Sequence, residues 1–251
     1  SKAVDPDHLR AFKVLYDTLN EEETNALYFA GERVVLEAGD VLFRQGDVNT
    51  RLFFIYRGRL KLTFSVAGKD TLIALLEAGD IAGQDSFLAA TTCTTALAVQ
   101  SLAELQVIHR DTVAAWKMTL PSLEAKLTEF CRSRDVGKIV VAKGLERRRS
   151  RRLKVEGLVA AQIVDDAKAP VGKPFRGEMA DISGTGLSFT IKATDKSARL
   201  LLGRRLKIAS SLEVGGKRQR LERLGITVAV TPLLFGDFAI HVKFDQPLKS
   251  A

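Results

Sequence analysis

Hydrophobic residues recur at helix spacing near the start of the chain and at every second position from Gly31 onward. His8, Leu9, Phe12, Leu15 and Tyr16 predict helix within 5–29, and Leu19-Asn20-Glu21-Glu22-Glu23 predicts a second helix start with acids in its first turn. After Gly31, period-two runs predict strands at Arg33–Leu36, Val41–Phe43, Leu52–Tyr56, Leu60–Val66 and Thr71–Leu76. Glycine turns divide them, among them Ala38-Gly39-Asp40, Gln45-Gly46-Asp47, Arg57-Gly58-Arg59 and Ala78-Gly79-Asp80. Short strands at such even spacing predict a jelly-roll or barrel.

Helical spacing returns after Arg110, first over Asp111–Trp116 and then from Pro121, a residue suited to the first helical position. Leu123, Leu127, Phe130 and Cys131 form an apolar stripe that fits a homodimer seam or packing onto the chain's own sheet; Arg134 and Gly137 interrupt it. The remainder reads as strands: Val155–Val164, Gly186–Ile191, Gly203–Ile208, Gly225–Val230 and Phe238–Phe244, with Pro170 and Pro174 marking a loop. On the last strand Phe238, Ile240, Val242 and Phe244 share one face, leaving His241 on a solvated one. The expected fold is mainly β with helices. An N-terminal, jelly-roll-like β-roll with flanking helices fills 1–143, and a six-stranded antiparallel barrel fills 144–251.

Composition narrows the function. A length of 251 residues suits two ordinary domains, and 46% hydrophobic content supplies real cores. The net charge of +8 is concentrated around residues 147–152 and at Lys217, Arg218 and Arg220, which favours a local anion site over a DNA footprint. Cys93, Cys131, His8, His109 and His241 are not spaced as metal ligands, and isolated cysteines fit a reducing cytoplasm. No apolar run approaches the roughly 20 residues that span a bilayer. No acid–base pair or nucleophile motif points to an enzyme.

Glu37-Ala38-Gly39-Asp40-Val41-Leu42-Phe43-Arg44-Gln45-Gly46-Asp47, followed by Phe54-Ile55-Tyr56-Arg57-Gly58-Arg59-Leu60, resembles the β-roll of the cyclic-nucleotide-binding domain, over about residues 9–140. That resemblance implies a phosphate-binding cassette at Gly79–Leu88 and Cys93–Ala96, with Gly83, Gln84, Asp85, Ser86, Thr94 and Thr95 as its pocket residues. The family's ribose-binding glutamate is replaced by Gln84, and Thr94 stands where its phosphate-binding arginine belongs. Losing that charge-assisted contact costs about 1.5–3 kcal/mol of ligand binding. A roll kept as scaffold is the favoured expectation, and a cyclic AMP-like ligand the alternative.

The densest chemistry lies between the two predicted domains. Arg147, Arg148, Arg149, Arg151 and Arg152 occupy five of six positions, broken by Ser150. So crowded a cluster calls for a polyanion, and a planar guanidinium can fork onto phosphate or onto the N7/O6 edge of guanine. Downstream, Asp181-Ile182-Ser183-Gly184-Thr185-Gly186 joins a carboxylate and a hydroxyl to glycines that permit positive φ and close approach. Arg-x-x-x-Arg at Arg148–Arg152, followed by Asp-x-Ser-x-x-Gly at Asp181–Gly186, resembles the signature of the PilZ domain, over residues 144–246. The resemblance implies a cyclic di-GMP receptor in which Arg147, Arg148 and Arg152 clamp guanine and phosphate. Asp181, Ser183, Gly184 and Gly186 would close on the ligand from the hairpin. The extra Arg147 resembles members that hold two stacked ligand molecules. Alternatives are a dual sensor that also binds a cyclic mononucleotide and, with less support, a nucleic-acid binder. A downstream protein partner is expected, its identity open.

Overall fold

The change of hydrophobic period at Gly31 is the point where helix gives way to sheet. The computed structural model describes residues 10–15, 17–134, 136–145, 151–214 and 217–248. They divide into two compact units, residues 1–89 with 93–147, and residues 90–92 with 148–251.

In the first unit, helix α1 (Glu21–Ala30) begins at a capping box: Asn20 Oδ1 accepts the Glu23 N–H, and the Glu23 carboxylate accepts the Asn20 N–H. Strands β1 (Glu32–Leu36), β2 (Val41–Phe43), β3 (Arg51–Val66), β4 (Lys69–Leu76), β5 (Ile81–Ala82) and β6 (Ala96–His109) build an antiparallel roll ordered β1-β6-β3-β4, with β2 on β6 and β5 on β3. Three of its turns use one device. In 37–40, 44–47 and 77–80 the glycine takes positive φ, the aspartate N–H closes the turn, and the aspartate carboxylate accepts the amide three residues back at 2.8 Å.

Arg57-Gly58-Arg59 is not a turn. The two strands predicted around it are one long β3, and the register on β6 shifts through residues 55–60. Gly58 has φ +90°, and a side chain there would collide with the Leu102 carbonyl, so the glycine absorbs an irregularity instead of reversing the chain. Residues 52–56 are buried on both faces. Phe53 and Ile55 enter the inner cluster of the roll, while Leu52 and Phe54 meet Phe12, Leu27, Trp116 and Leu123 behind it.

A short helix α2 (Gln84–Phe87) sits in the cassette, and α3 (Arg110–Thr119), α4 (Pro121–Ser133) and α5 (Val136–Ala142) follow the roll. The α4 stripe of Leu123, Leu127 and Cys131 is buried against its own unit, which removes the reason for a dimer seam there. The chain breaks at Arg134 and restarts as α5, a helix the sequence pattern did not resolve. Its Val136 and Val140 join the inner cluster with Phe43 and Phe53.

The second unit holds β7 (Leu153–Lys154), β8 (Leu158–Val164), β9 (Pro170–Ser183), β10 (Gly186–Lys192), α6 (Asp195–Arg199), β11 (Arg205–Val214), β12 (Lys217–Pro232) and β13 (Asp237–Phe244). The order β10-β13-β12-β11-β8-β9 closes through β9–β10 into the expected antiparallel barrel, with β7 added along β9. Val159, Leu187, Phe189, Leu206, Ile208, Ile240 and Val242 fill it. The proline-marked loop is in fact the start of β9. Pro170 is its first residue, and Pro174 falls where the β8–β9 register shifts, so neither removes a ladder donor that is needed. His241 is half-buried and bonds Thr231 Oγ1 through Nε2 at 3.2 Å.

Glu23 is 1% exposed, and Lys126 Nζ of α4 lies 2.7 Å from its carboxylate. Burial would raise its pKa, but hydrogen bonds from Lys126, the Asn20 amide and Ser122 outweigh that and hold it below the usual carboxylate value. A depressed folded-state pKa stabilises at neutral pH, and the contribution fades as pH falls below about 4.5 towards the folded value. Lys126→Met should cost about 1–3 kcal/mol, less than for a fully buried pair because the lysine is 36% exposed. Urea melts at pH 7 and pH 3 check this: the penalty should shrink at pH 3, and an equal penalty at both pH values would show that the pair is not its source.

Candidate functional site

In the second unit, β7 lies antiparallel on the end of β9, with Leu153 opposite Ile182 and Lys154 opposite Asp181. That pairing delivers Arg152, which immediately precedes β7, to Asp181: Nη1 donates to Oδ1 at 3.0 Å. Their side chains are 39% and 24% exposed, so the pair contributes only about 0.2–1 kcal/mol and can be exchanged for another anion or donor at small cost. Two residues 29 positions apart in sequence thus form one polar centre. Arg147 and Arg148 lie outside the described residues.

The hairpin differs from expectation in its details. Neither Gly184 nor Gly186 takes positive φ. Gly186 is required because a side chain would collide with the Val242 carbonyl of β13, so its close approach is to a neighbouring strand. Ser183 is buried. Its hydroxyl donates to the Gly186 carbonyl at 3.2 Å and accepts the Thr185 amide at 3.4 Å. The Thr185 carbonyl accepts from Phe244, and that of Gly184 from Leu248. Ser183 and the glycines therefore hold the turn that presents Asp181. Strands β7 and β9 also wall a cavity of about 720 Å³, lined by Lys154, Val155, Glu156, Gly157, Met179, Ala180, Ser211, Glu213 and Arg218; neither Arg152 nor Asp181 is part of that lining. Arg218 belongs to a basic run visible in the sequence. Nothing in the spacing signalled Glu213, which reaches the cavity through the β11–β8–β9 pairings.

In the first unit, Gly83 (φ +86°) caps α2 in the left-handed region, and an added side chain would press on the Arg51 carbonyl. Asn49 Nδ2 donates to the carbonyl of Arg51 at 2.7 Å and to Ser86 Oγ at 3.3 Å. Arg110, a residue the sequence reading passed over, fastens the cassette. Its guanidinium donates to the carbonyls of Asn49, Ser86, Phe87 and Ala89. Asp85 and Thr94 are half-buried, and Thr95 is fully buried. Gln84 Oε1 and Thr95 Oγ1 are buried with no hydrogen-bond partner among the described residues. Such orphans cost about 1–3 kcal/mol each, a cost that a polar ligand would remove. None of the six expected pocket residues carries a positive charge.

Residues 33–117 match the family model described as the cyclic nucleotide-binding domain, and this span runs from β1 to α3. Among solved structures, the N-terminal domain of a transcriptional regulator from Streptomyces coelicolor A3(2) is 21% identical, covering 53% of this chain and 96% of that one at a TM-score of 0.44. A cyclic nucleotide-binding-like protein from Brucella abortus is 28% identical, covering 44% and 97% at a TM-score of 0.40. The catabolite activator protein of Thermus thermophilus is 23% identical, covering 52% and 62% at a TM-score of 0.45. No curated protein matches the chain. No described helix is long and apolar enough to cross a membrane.

Cys93, in the cassette, lies 3.5 Å from Ser86 Oγ. Burial pushes its thiol up to about 11, with the charges of Asp85 and Asp47 adding to the shift, and burial pushes Cys131 up to about 12. Because the thiolate is the reactive form, both should resist a thiol-directed reagent at pH 8 in the native protein and react fully in denaturant. Immediate stoichiometric labelling of the native protein would contradict this burial.

Proposed function

We propose that the chain is a non-enzymatic receptor for cyclic di-GMP, with a PilZ domain as its C-terminal unit. The observation that carries the reading is the approach of Arg152 to Asp181 on β9, a strand that also walls a cavity of about 720 Å³, within the roughly 300–1,000 Å³ typical of small-molecule sites. A guanidinium and a carboxylate in contact are the complements of a guanine: the carboxylate accepts from the N1–H and N2–H edge, and the guanidinium donates to O6 and N7 or to phosphate. In the free protein the two groups satisfy each other weakly. Ligand replaces that exposed pair with shielded contacts on both sides. Arg147 and Arg148 add positive charge from the same run, and Ser183, Gly184 and Gly186 hold the hairpin in register.

The division between the two units falls inside the arginine run, between Arg147 and Arg148. Ligand that binds this segment acts on the connection between the cyclic nucleotide-binding domain and the barrel. The difference in affinity between wrapped and free forms of the segment supplies the switch. The changed first unit then signals to a protein partner.

A second reading keeps a cyclic mononucleotide such as cyclic AMP in the roll, making the chain a dual sensor. The buried, unpartnered Gln84 Oε1 and Thr95 Oγ1 favour it. Without a cassette cation, such binding should be weak.

Calorimetric titration of the full chain with cyclic di-GMP tests the first reading and gives one or two molecules per chain directly. Arg152→Ala and Asp181→Ala should each lower affinity at least about tenfold while leaving the ligand-free melting temperature nearly unchanged. Unaltered affinity in both variants would remove the site. A thermal-shift titration with cyclic AMP and cyclic GMP tests the second. No shift at millimolar ligand leaves the roll as a scaffold.

A further inference from the structure

Resting on the cyclic di-GMP reading, we propose that the cavity walled by β7 and β9 holds a second guanine, read by Glu213 of β11 and Arg218 of β12. The two residues are direct partners in the β11–β12 register, so their side chains stand on the same face of the ribbon. Both are exposed, and both line the cavity. Among the described residues, neither makes an ion pair with the other or with any third group. An adjacent carboxylate and guanidinium that face a cavity unpaired are available to a ligand that needs both.

Guanine is such a ligand. Its N1–H and N2–H donate to a carboxylate, and its O6 and N7 accept from a guanidinium. Adenine lacks the N1–H donor and carries a donor where guanine has O6, so the same pair discriminates against it. The rest of the lining suits a base. Val155 and the 7%-exposed Met179 give the lining apolar surface, Gly157 and Ala180 are small, and Glu156 adds a second carboxylate able to accept from the base's N–H groups. Lys154 adds a cation at the rim for a phosphate.

Continuity with the first centre comes from the backbone. Lys154 is opposite Asp181 in the β7–β9 pairing, and Ala180 adjoins Asp181 on β9. One wall of the cavity is therefore the strand that carries the ion pair. A ligand with two guanines, or two stacked ligands, can place one base at Arg152–Asp181 and another at Glu213–Arg218. The calorimetric stoichiometry separates these sources.

The experiment is calorimetry on the full chain with cyclic di-GMP and with cyclic di-AMP, using Arg218→Ala, Glu213→Gln and the control Arg220→Ala. Arg220 is the next exposed cation on the same face of β12, opposite Ser211. Arg218→Ala and Glu213→Gln should each weaken cyclic di-GMP about tenfold or more. Glu213→Gln should also narrow the preference for cyclic di-GMP over cyclic di-AMP, and Arg220→Ala should change affinity less than about twofold, the small effect of an exposed charge. Circular-dichroism melts of all three should match the parent. Wild-type affinity in both Arg218→Ala and Glu213→Gln overturns the second guanine site and leaves the receptor reading intact. Equal weakening in Arg218→Ala and Arg220→Ala overturns it too, because general electrostatics would then account for the loss. A parent protein that binds no cyclic di-GMP removes the receptor reading itself.

Discussion

The second unit depends on β9, a single strand with three partners. Its first part pairs with β8 and its last part with β10, which closes the barrel and leaves no long free edge. The end of the strand also accepts the short β7, and that third pairing sets the chemistry. Without it, Arg152 and Asp181 would be a cation on a connecting segment and a carboxylate beside a hairpin, with nothing to hold them together. Through β8, which pairs with both β9 and β11, Glu213 and Arg218 come to line a cavity that β7 and β9 also wall. The ion pair and the cavity meet on β9 because that strand pairs with both β7 and β8.

The hairpin at 183–186 shows how a motif can carry two kinds of requirement. Gly186 is needed because β13 passes too close for a side chain, and Ser183 is bonded to the turn. These are demands of folding. Asp181 is the member left over, partly exposed and held by one weak ion pair, and on the proposed cyclic di-GMP reading it is the one that meets the ligand. In the structure Ser183 and Gly186 are tied to the turn and to β13, whereas Asp181 reaches out to Arg152.

The first unit keeps the architecture of a nucleotide roll but changes its chemistry. Mostly aliphatic residues, with Phe43, Phe53, Phe64 and two valines of α5, fill the inner cluster, and Arg110 is committed to cassette carbonyls. Arg51 and Arg110 donate to backbone carbonyls and none of the six expected pocket residues is cationic, so a cyclic phosphate would meet hydrogen-bond partners rather than a counter-charge from those six. What remains polar and unpaired is Gln84 Oε1 and Thr95 Oγ1, groups that suit an uncharged part of a ligand better than a phosphate.

The sequence by itself determined the fold class, most strands, the helix start at Asn20 and the glycine–aspartate turns, because these rest on local φ preferences and on period-two burial. It also singled out Arg152 and Asp181 as chemically unusual. The tertiary structure decided the rest. That Gly58 is a bulge, that Pro170 opens a strand and that the α4 stripe packs on its own unit are settled by which backbone lies opposite, and single-strand patterns carry no trace of a partner's register. The same holds for Arg110, Glu213 and Arg218. Each is an ordinary charged residue in its local context, and only long-range pairing brings carbonyls to Arg110 or sets Glu213 and Arg218 on a cavity.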